Sequence, residues 1–224
     1  MTEAPVSDLD FDRAMIAAAF NQAAALGWDR VNIATAAREA GLPLDRVRER
    51  FSGRDALLLR FGRMADQAAL AQTPTEGTVR DRLFDLIMHR IDFLEQHRAG
   101  VLALFKFLPA TPAVALLLGC ASQRSLRWLL DASGISTGGL SGQLRVYGLM
   151  AVWLWTLRAW KTDEGIDLAH TMAALDVALS RAEGPASWLD RGGHRAASGS
   201  DASPQAEAAA TPDASFTPPA EPAR

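Results

Sequence analysis

Two short helix-forming segments, "IATAAREA" (33–40) and "LDRVRERF" (44–51), meet at a turn made of Gly41, Leu42 and Pro43. This spacing constrains the fold more than any other feature. Helices of about two turns are marginal alone, so both must pack on a third. A short helix, a glycine turn and a second short helix is the helix-turn-helix arrangement. The supporting helix lies on the N-terminal side. Phe11, Met15, Ala18, Ala19, Ala23 and Leu26 recur at helical spacing over 8–26, and Gly27 stops the run. Asn32 suits an N-cap, and Pro43 suits the first turn of the third helix, where its missing N–H costs nothing. Ser52 is the expected cap of a fourth helix with Asp55 in its first turn.

At 100° per residue, Leu44, Val47 and Phe51 share the inner face of the third helix, which predicts packing on the first. Asp45 and Glu49 sit at the centre of the outer face, with Arg46 and Arg50 on one flank and Arg48 on the other.

The rest of the chain also reads as helix. β-branched residues are sparse, and no segment sustains the alternation of a half-buried strand. A net charge of −3 over 224 residues argues against wholesale coating of nucleic acid, though not against a local basic patch. The single cysteine, Cys120, excludes an internal disulfide and reads as a small core residue of an apolar helix. The longest apolar run, 146–157, is too short to span a membrane. With no basic-then-apolar leader, the expectation is a cytoplasmic protein without a transmembrane segment.

Helices are expected through 183. The penultimate one, "QLRVYGLMAVWLWTLRAWKT", is apolar almost all round, with Tyr147, Met150, Trp153, Leu154, Trp155 and Trp160. Such a helix is buried, lines a pocket, or lies in a dimer interface. Trp153 and Trp160 share a face and Trp155 lies on another. Phe105, Phe107, Leu116, Trp128, Met150 and Trp153 are the candidate lining of an apolar pocket. From 184 to 224 the chain is rich in Ala, Pro and Ser, the composition of a disordered tail; Trp188 and Leu189 are its candidate docking residues.

No catalytic constellation stands out. His89, His97, His170 and His194 are scattered without metal-ligand spacing, and no phosphate- or dinucleotide-binding fingerprint is present. Asp92 and Glu95, with His89 and Arg90, read as a solvated charged face. The expectation is a binding protein, not an enzyme, with no cofactor and no metal.

Residues 11–60 resemble the helix-turn-helix of the TetR family of transcriptional regulators. Ala36, Ala37, Ala40 and Gly41 match its "I-A-x-x-A-G" core, and Leu42 the aliphatic that follows. Val47 and Phe51 match its apolar recognition-helix positions, and Arg54, Asp55 and Leu57 its "K-E-x-L". Pro43 stands where the family usually has Ser, and Arg48 where it commonly has Tyr. The resemblance implies an all-α, TetR-like fold: a tri-helical head at 8–60, a helical ligand-binding and dimerisation domain at 61–183, and the tail at 184–224. It also implies a homodimer that binds DNA and responds to an apolar small molecule. The DNA-facing candidates are Asn32, Pro43, Asp45, Arg46, Arg48, Glu49, Arg50 and Arg54.

The C-terminal half also resembles the TetR-fold accessory proteins of ubiquinone biosynthesis, in "RLFDLIMHRIDFLEQHRAGVLALFKFLPATPAVALLL", in "LRWLLDASGIS" and in the last two helices; Gly27–Trp28 is shared too. That resemblance implies an alternative: a carrier of isoprenoid lipid that does not bind DNA. The acidic turn and the "W-Y-T-R-R" tract of that group are replaced here by "STGGLSGQLRVYG". A structural helical adaptor is the third reading.

Overall fold

A computed structural model describes residues 7–72 and 76–198, with side chains described as far as residue 183. Among the described residues every regular element is helical. Helix α1 (Asp8–Leu26) has the expected bounds, with Ser7 capping its start and Gly27, at φ +90°, turning the chain out of it. Helices α2 (Ile33–Glu39) and α3 (Leu44–Arg50) form the helix-turn-helix, with Gly41 at φ +66° in the turn. The Asn32 side chain accepts from the Thr35 amide, as a cap should.

Three details differ from expectation. Gly53, not Ser52, precedes α4 (Arg54–Leu70), and it makes no side-chain cap. Leu44 is 41% exposed, so only Val47 and Phe51 carry the inner face of α3. Pro43 holds the N-cap position of α3 rather than its first turn. Helix α4 ends at Leu70, close to where the fourth helix was expected to end.

The body contains α5 (Val79–Glu95), α6 (Arg98–Phe107), α7 (Pro112–Ala132), α8 (Gly139–Thr162) and α9 (Ala169–Ser198). A capping box between Thr78 and Asp81 starts α5. Asp163 accepts from the amide and hydroxyl of Thr171 and the amide of Gly165, which orders the entry to α9. The expected tail from residue 184 falls partly within α9, whose backbone is helical to Ser198. Residues 199–224 lie outside the described residues, as do the side chains of Trp188 and Leu189. No single helix among the described residues is long and apolar enough to cross a membrane.

Head and body share one core. Phe20 of α1 packs against Phe61 of α4, and both rings contact His97 beside Phe93. Burial among these rings pushes the His97 imidazole below its usual pKa. Trp28 is buried edge-on to Phe20, and its indole N–H donates to the Gly100 carbonyl at 2.9 Å. Gly100 lets α6 lie directly on α1: a Cβ there would stand 2.6 Å from the Phe20 carbonyl oxygen. Trp160 is fully buried; its N–H donates to Glu95, and Arg98 stacks on its ring while bonding the Trp160 and Asp163 carbonyls.

The head is clamped by a buried carboxylate. Asp12 of α1 is 0% exposed. It accepts from Arg50 of α3 at 2.7 and 2.8 Å and from Arg60 of α4 at 2.6 Å. Burial raises its pKa, but the hydrogen bonds and charges of the two arginines outweigh burial and hold it below the ordinary carboxylate range.

Two outcomes are expected. Asp12→Ala leaves partly buried Arg60 without its counter-charge and Arg50 with only the exposed Asp8, and should cost about 3 kcal/mol in urea unfolding at neutral pH. Because the folded-state pKa is depressed, Asp12 contributes fully above the unfolded carboxylate value of about 4 and loses that contribution as pH falls below it. Asp12→Asn should therefore flatten the acid limb of stability against pH; an unchanged limb would show the clamp to be idle. Separately, Gly100→Ala should cost about 1–3 kcal/mol by overpacking α6 against α1, measured by the same unfolding assay.

Candidate functional site

The third helix is held by its inner face and by one flank. Val47 and Phe51 are buried against the head core, whereas Pro43, Leu44, Asp45, Arg48 and Glu49 are exposed. Beside them, Ile33 and Ala34 of α2 line a cleft of about 330 Å³ with Leu44, Val47, Arg48, Phe51 and Ser52. The cleft places an apolar floor next to Arg48, at the edge of the outward face.

The arginines of α3 are not equivalent. Arg46 and Arg50 both turn toward α1. Arg46 pairs with Asp8 at 2.6 Å and lies over the Phe11 ring; Arg50 pairs with Asp8 at 3.0 Å as well as with Asp12. The hydrogen bond from Arg46, then the charge of Arg50, hold the Asp8 carboxyl below its usual value. The hydrogen bond that Arg50 donates to Asp12 raises its already high pKa further. The sequence reading missed Asp8 and Asp12 as partners. A signal was present: the two acids are one helical turn apart on α1, matching two arginines one turn apart on α3.

Arg48 points the other way and donates to the Ser52 carbonyl at 3.0 Å, staying exposed. Arg54, also exposed, ties the start of α4 to the Trp28 and Asp29 carbonyls. Asn32 caps α2, next in the chain to Ile33 of the cleft. The eight positions expected to face DNA thus divide. Pro43, Asp45, Arg48 and Glu49 share the open face of α3, with Asn32 near it. Arg46 and Arg50 lie on the flank toward α1, and Arg54 braces the turn. Arginines and carboxylates are equal in number between residues 7 and 60, so the head has no net charge.

The expected pocket residues of the body also divide. Trp153 is 4% exposed, and Met150 is half-buried nearby on α8. Phe105 is half-buried with its ring edge toward Trp160, and Phe107 is half-buried at the end of α6. Leu116 and Trp128 stand on the outer face of α7, 69% and 68% exposed in the single chain, so they do not line an interior. Cys120 is exposed rather than in the core. Arg90 is not on a solvated face: it is buried at 4% exposure, 3.1 Å from Asp66 and stacked on Trp153. An arginine one turn from Leu86, Ile87 and Leu94 is the position where a hydrophobic stripe would have placed an apolar residue. That was the available signal. Among the described residues no group of three or more His, Cys, Asp or Glu side chains is arranged to hold a metal ion.

No family profile matches the sequence, and no curated protein matches it. Solved structures do. A TetR transcriptional regulator from Nitrosomonas europaea superposes with a TM-score of 0.64 at 21% identity, covering 78% of this chain and 98% of its own. A TetR-family transcriptional regulator from Streptomyces coelicolor gives 0.59 at 19% identity, over 83% of this chain and 86% of its own. A TetR transcriptional regulator from Rhodococcus sp. RHA1 gives 0.53 at 14% identity, over 79% and 97%. With the helix-turn-helix head seated on a helical body by α1 and α4, these likenesses establish that the chain has the TetR-type fold.

Proposed function

We propose that the protein is a dimeric, DNA-binding transcriptional regulator whose helical body responds to an apolar small molecule. The presentation of α3 carries this reading: the helix is fixed from behind by Val47, Phe51 and the Asp12 clamp, and offers an unobstructed outer face. On that face Arg48 is the cation for a phosphate or a guanine edge, and Leu44 is an apolar contact for a thymine methyl. Asp45 and Glu49 repel phosphates and are tolerated where a cytosine amino group faces them. Arg46 and Arg50 reach phosphate only in competition with Asp8.

The second copy docks on α8 and α9. Leu140, Leu144, Tyr147, Leu154 and Trp155 are exposed along α8, joined by Val177 on α9. Gly148 and Ala151 lie between the large side chains and are exposed, and the space around Gly148 is open. Small residues bordered by large apolar ones let two helices approach closely and cover the flanks. A two-fold axis through this face gives an isologous contact and two heads for two half-sites.

One observation favours a second reading. The head has no net charge, and two of its three recognition-helix arginines are bound to acids of α1. An apolar-ligand or lipid carrier that keeps the scaffold without binding DNA fits that balance.

Fluorescence anisotropy with DNA from the region upstream of the gene, across a salt series, separates the readings. Salt-dependent binding is expected for the parent protein. Arg48→Ala should lower the slope of log K against log salt by about one unit. Asp8→Asn should tighten binding and steepen the slope by up to about two units by releasing Arg46 and part of Arg50. Absence of salt-dependent binding at low ionic strength would remove the regulator reading and leave the carrier. For assembly, sedimentation equilibrium should give a dimer, and Leu154→Glu with Trp155→Glu should give a monomer of unchanged helicity. A parent monomer at micromolar concentration would refute the α8–α9 interface. Trp160 is unsuitable for this test, because it is a core residue.

A further inference from the structure

The body contains a polar cluster that neither packing nor the head explains. Arg90 on α5 extends across the interior from Asp66 on α4 to Trp153 on α8. Its Nη1 is 3.1 Å from Asp66 Oδ1, and its guanidinium lies 4.6 Å from the centre of the Trp153 ring. Ser125 on α7 donates its hydroxyl to the other Asp66 oxygen. Four helices therefore converge on one ion pair. Burial pushes the Arg90 guanidinium down, and Asp66 pulls it back up.

The hydrogen-bonding capacity of this pair is not used up. Among the described residues, four buried side-chain atoms have no hydrogen-bond partner: Arg90 Nε, Arg90 Nη1, Asp66 Oδ1 and, on the adjoining residue, His89 Nδ1. Three of the four belong to the pair. Nη1 and Oδ1 face each other at 3.1 Å as an ion pair without hydrogen-bond geometry, and Nε has no hydrogen-bond partner, so the pair leaves hydrogen-bonding capacity unused in a buried place where that is costly. Met150, about one turn from Trp153 on α8, is only partly covered.

We propose that Arg90 and Asp66 form the polar end of a binding site for an uncharged apolar molecule bearing a hydroxyl group, a phenol or a hydrophobic alcohol. This rests on the ligand-responsive reading above and adds the chemical class. A hydroxyl donates to Asp66 Oδ1 and accepts from Arg90, so one group satisfies both sides. A hydrocarbon leaves all three atoms unmet. A carboxylate brings a second negative charge beside Asp66, whose charge Arg90 already balances, into a poorly solvated interior. The trade of one buried ion pair for specificity toward a hydroxyl is the same logic by which polar pockets reject analogues that lack the group.

The test uses the full chain and three matched probes by isothermal titration calorimetry: 2-naphthol, 2-methylnaphthalene and 2-naphthoate. The parent should bind 2-naphthol at least about tenfold more tightly than either other probe. Asp66→Asn removes the balancing charge and should reverse the preference toward 2-naphthoate, a change that a purely structural ion pair does not predict. Should that variant fail to fold, the charge-free pair Asp66→Asn with Arg90→Met keeps the test open, since replacing both charges avoids an orphan. It should bind 2-naphthol and 2-methylnaphthalene within about threefold of each other. Equal affinities, a parent preference for 2-naphthoate, or binding of none of the probes would overturn the proposal and leave an ordered water as the partner of the three atoms. DNA binding is read separately. Loss of hydroxyl selectivity with intact DNA binding defeats this inference alone, and absent DNA binding with intact selectivity defeats the regulator reading alone.

Discussion

Asp12 is the residue on which the geometry of the head turns. A carboxylate with 0% exposure is tolerable only when opposite charge and hydrogen bonds replace the water it has lost. Arg50 and Arg60 supply both, from two different helices. The consequence is directional. Short helices such as α2 and α3 have little intrinsic stability, and apolar contacts alone allow a helix of seven residues to roll. The bidentate bond from Arg50 fixes the rotation of α3 about its axis, because a guanidinium matched to a carboxylate fork has a narrow range of good geometry. With that rotation set, Val47 and Phe51 face inward, and Asp45, Arg48 and Glu49 face out. Asp8, exposed and one turn earlier, adds a weaker hold on Arg46 and Arg50.

A second constraint joins this head to the body. Trp28 follows the Gly27 turn, packs on Phe20 and donates to the backbone of Gly100. The missing side chain of Gly100 sets how closely α6 lies on α1, so any shift of α6 is felt at Phe20, about two turns beyond the Asp12 clamp on the same helix. Helix α4 makes the other connection, carrying Arg60 to Asp12 near one end and Asp66 to Arg90 nearer the other. Helix α4 thus takes part in both the Asp12 cluster and the Asp66–Arg90 pair. On the proposed ligand-responsive reading, a ligand at Arg90 would act on α4 through Asp66, six residues from Arg60, which bonds the Asp12 clamp. Such a route transmits a signal only to the extent that the ligand prefers one arrangement of α4 over another.

Much of the fold was legible because it rests on local rules. The bounds of α1 follow from apolar spacing ended by Gly27, the start of α2 from an Asn32 cap, and the inward turn of Val47 and Phe51 from helical periodicity. Angular position on one helix also separates Trp153 and Trp160 from Trp155; it does not say which face is buried, and Trp160 is a core residue rather than an interface one. What stayed hidden depends on partners far along the chain. A helical wheel places Arg46 and Arg50 on a flank, but nothing local says that α1 presents acids to that flank 38 residues away. Leu44 looked inward for the same reason: its angle is right, but at the first turn of α3 it lies on the open cleft and stays 41% exposed. Arg90 was the largest misreading. Charge density around His89 and Asp92 suggested solvent, while the apolar neighbours one turn to either side placed the same face in the interior.

The charge distribution also bears on how such a head would recognise DNA. Non-specific affinity comes from phosphate neutralisation, and here the arginines best placed to supply it already have carboxylate partners. Displacing Asp8 exchanges one ion pair for another, so the net gain per phosphate is smaller than for a solvated arginine. Arg50 is held more firmly, because its release also strips Asp12 of a bond it needs to remain buried. The remaining outward groups are one arginine, two carboxylates and a leucine. Such a face gains little from the phosphate backbone and depends on matching base edges, which lowers the affinity for random sequence more than for a correct site. Weak general attraction with a demanding outer face makes the contacts from a second head more important, since two modest half-site interactions add their free energies only when both are held at the right spacing. On the regulator reading proposed above, the exposed apolar stripe of α8 and the acid-bound arginines of α3 are linked requirements: a head of this charge would bind usefully only as one of a pair.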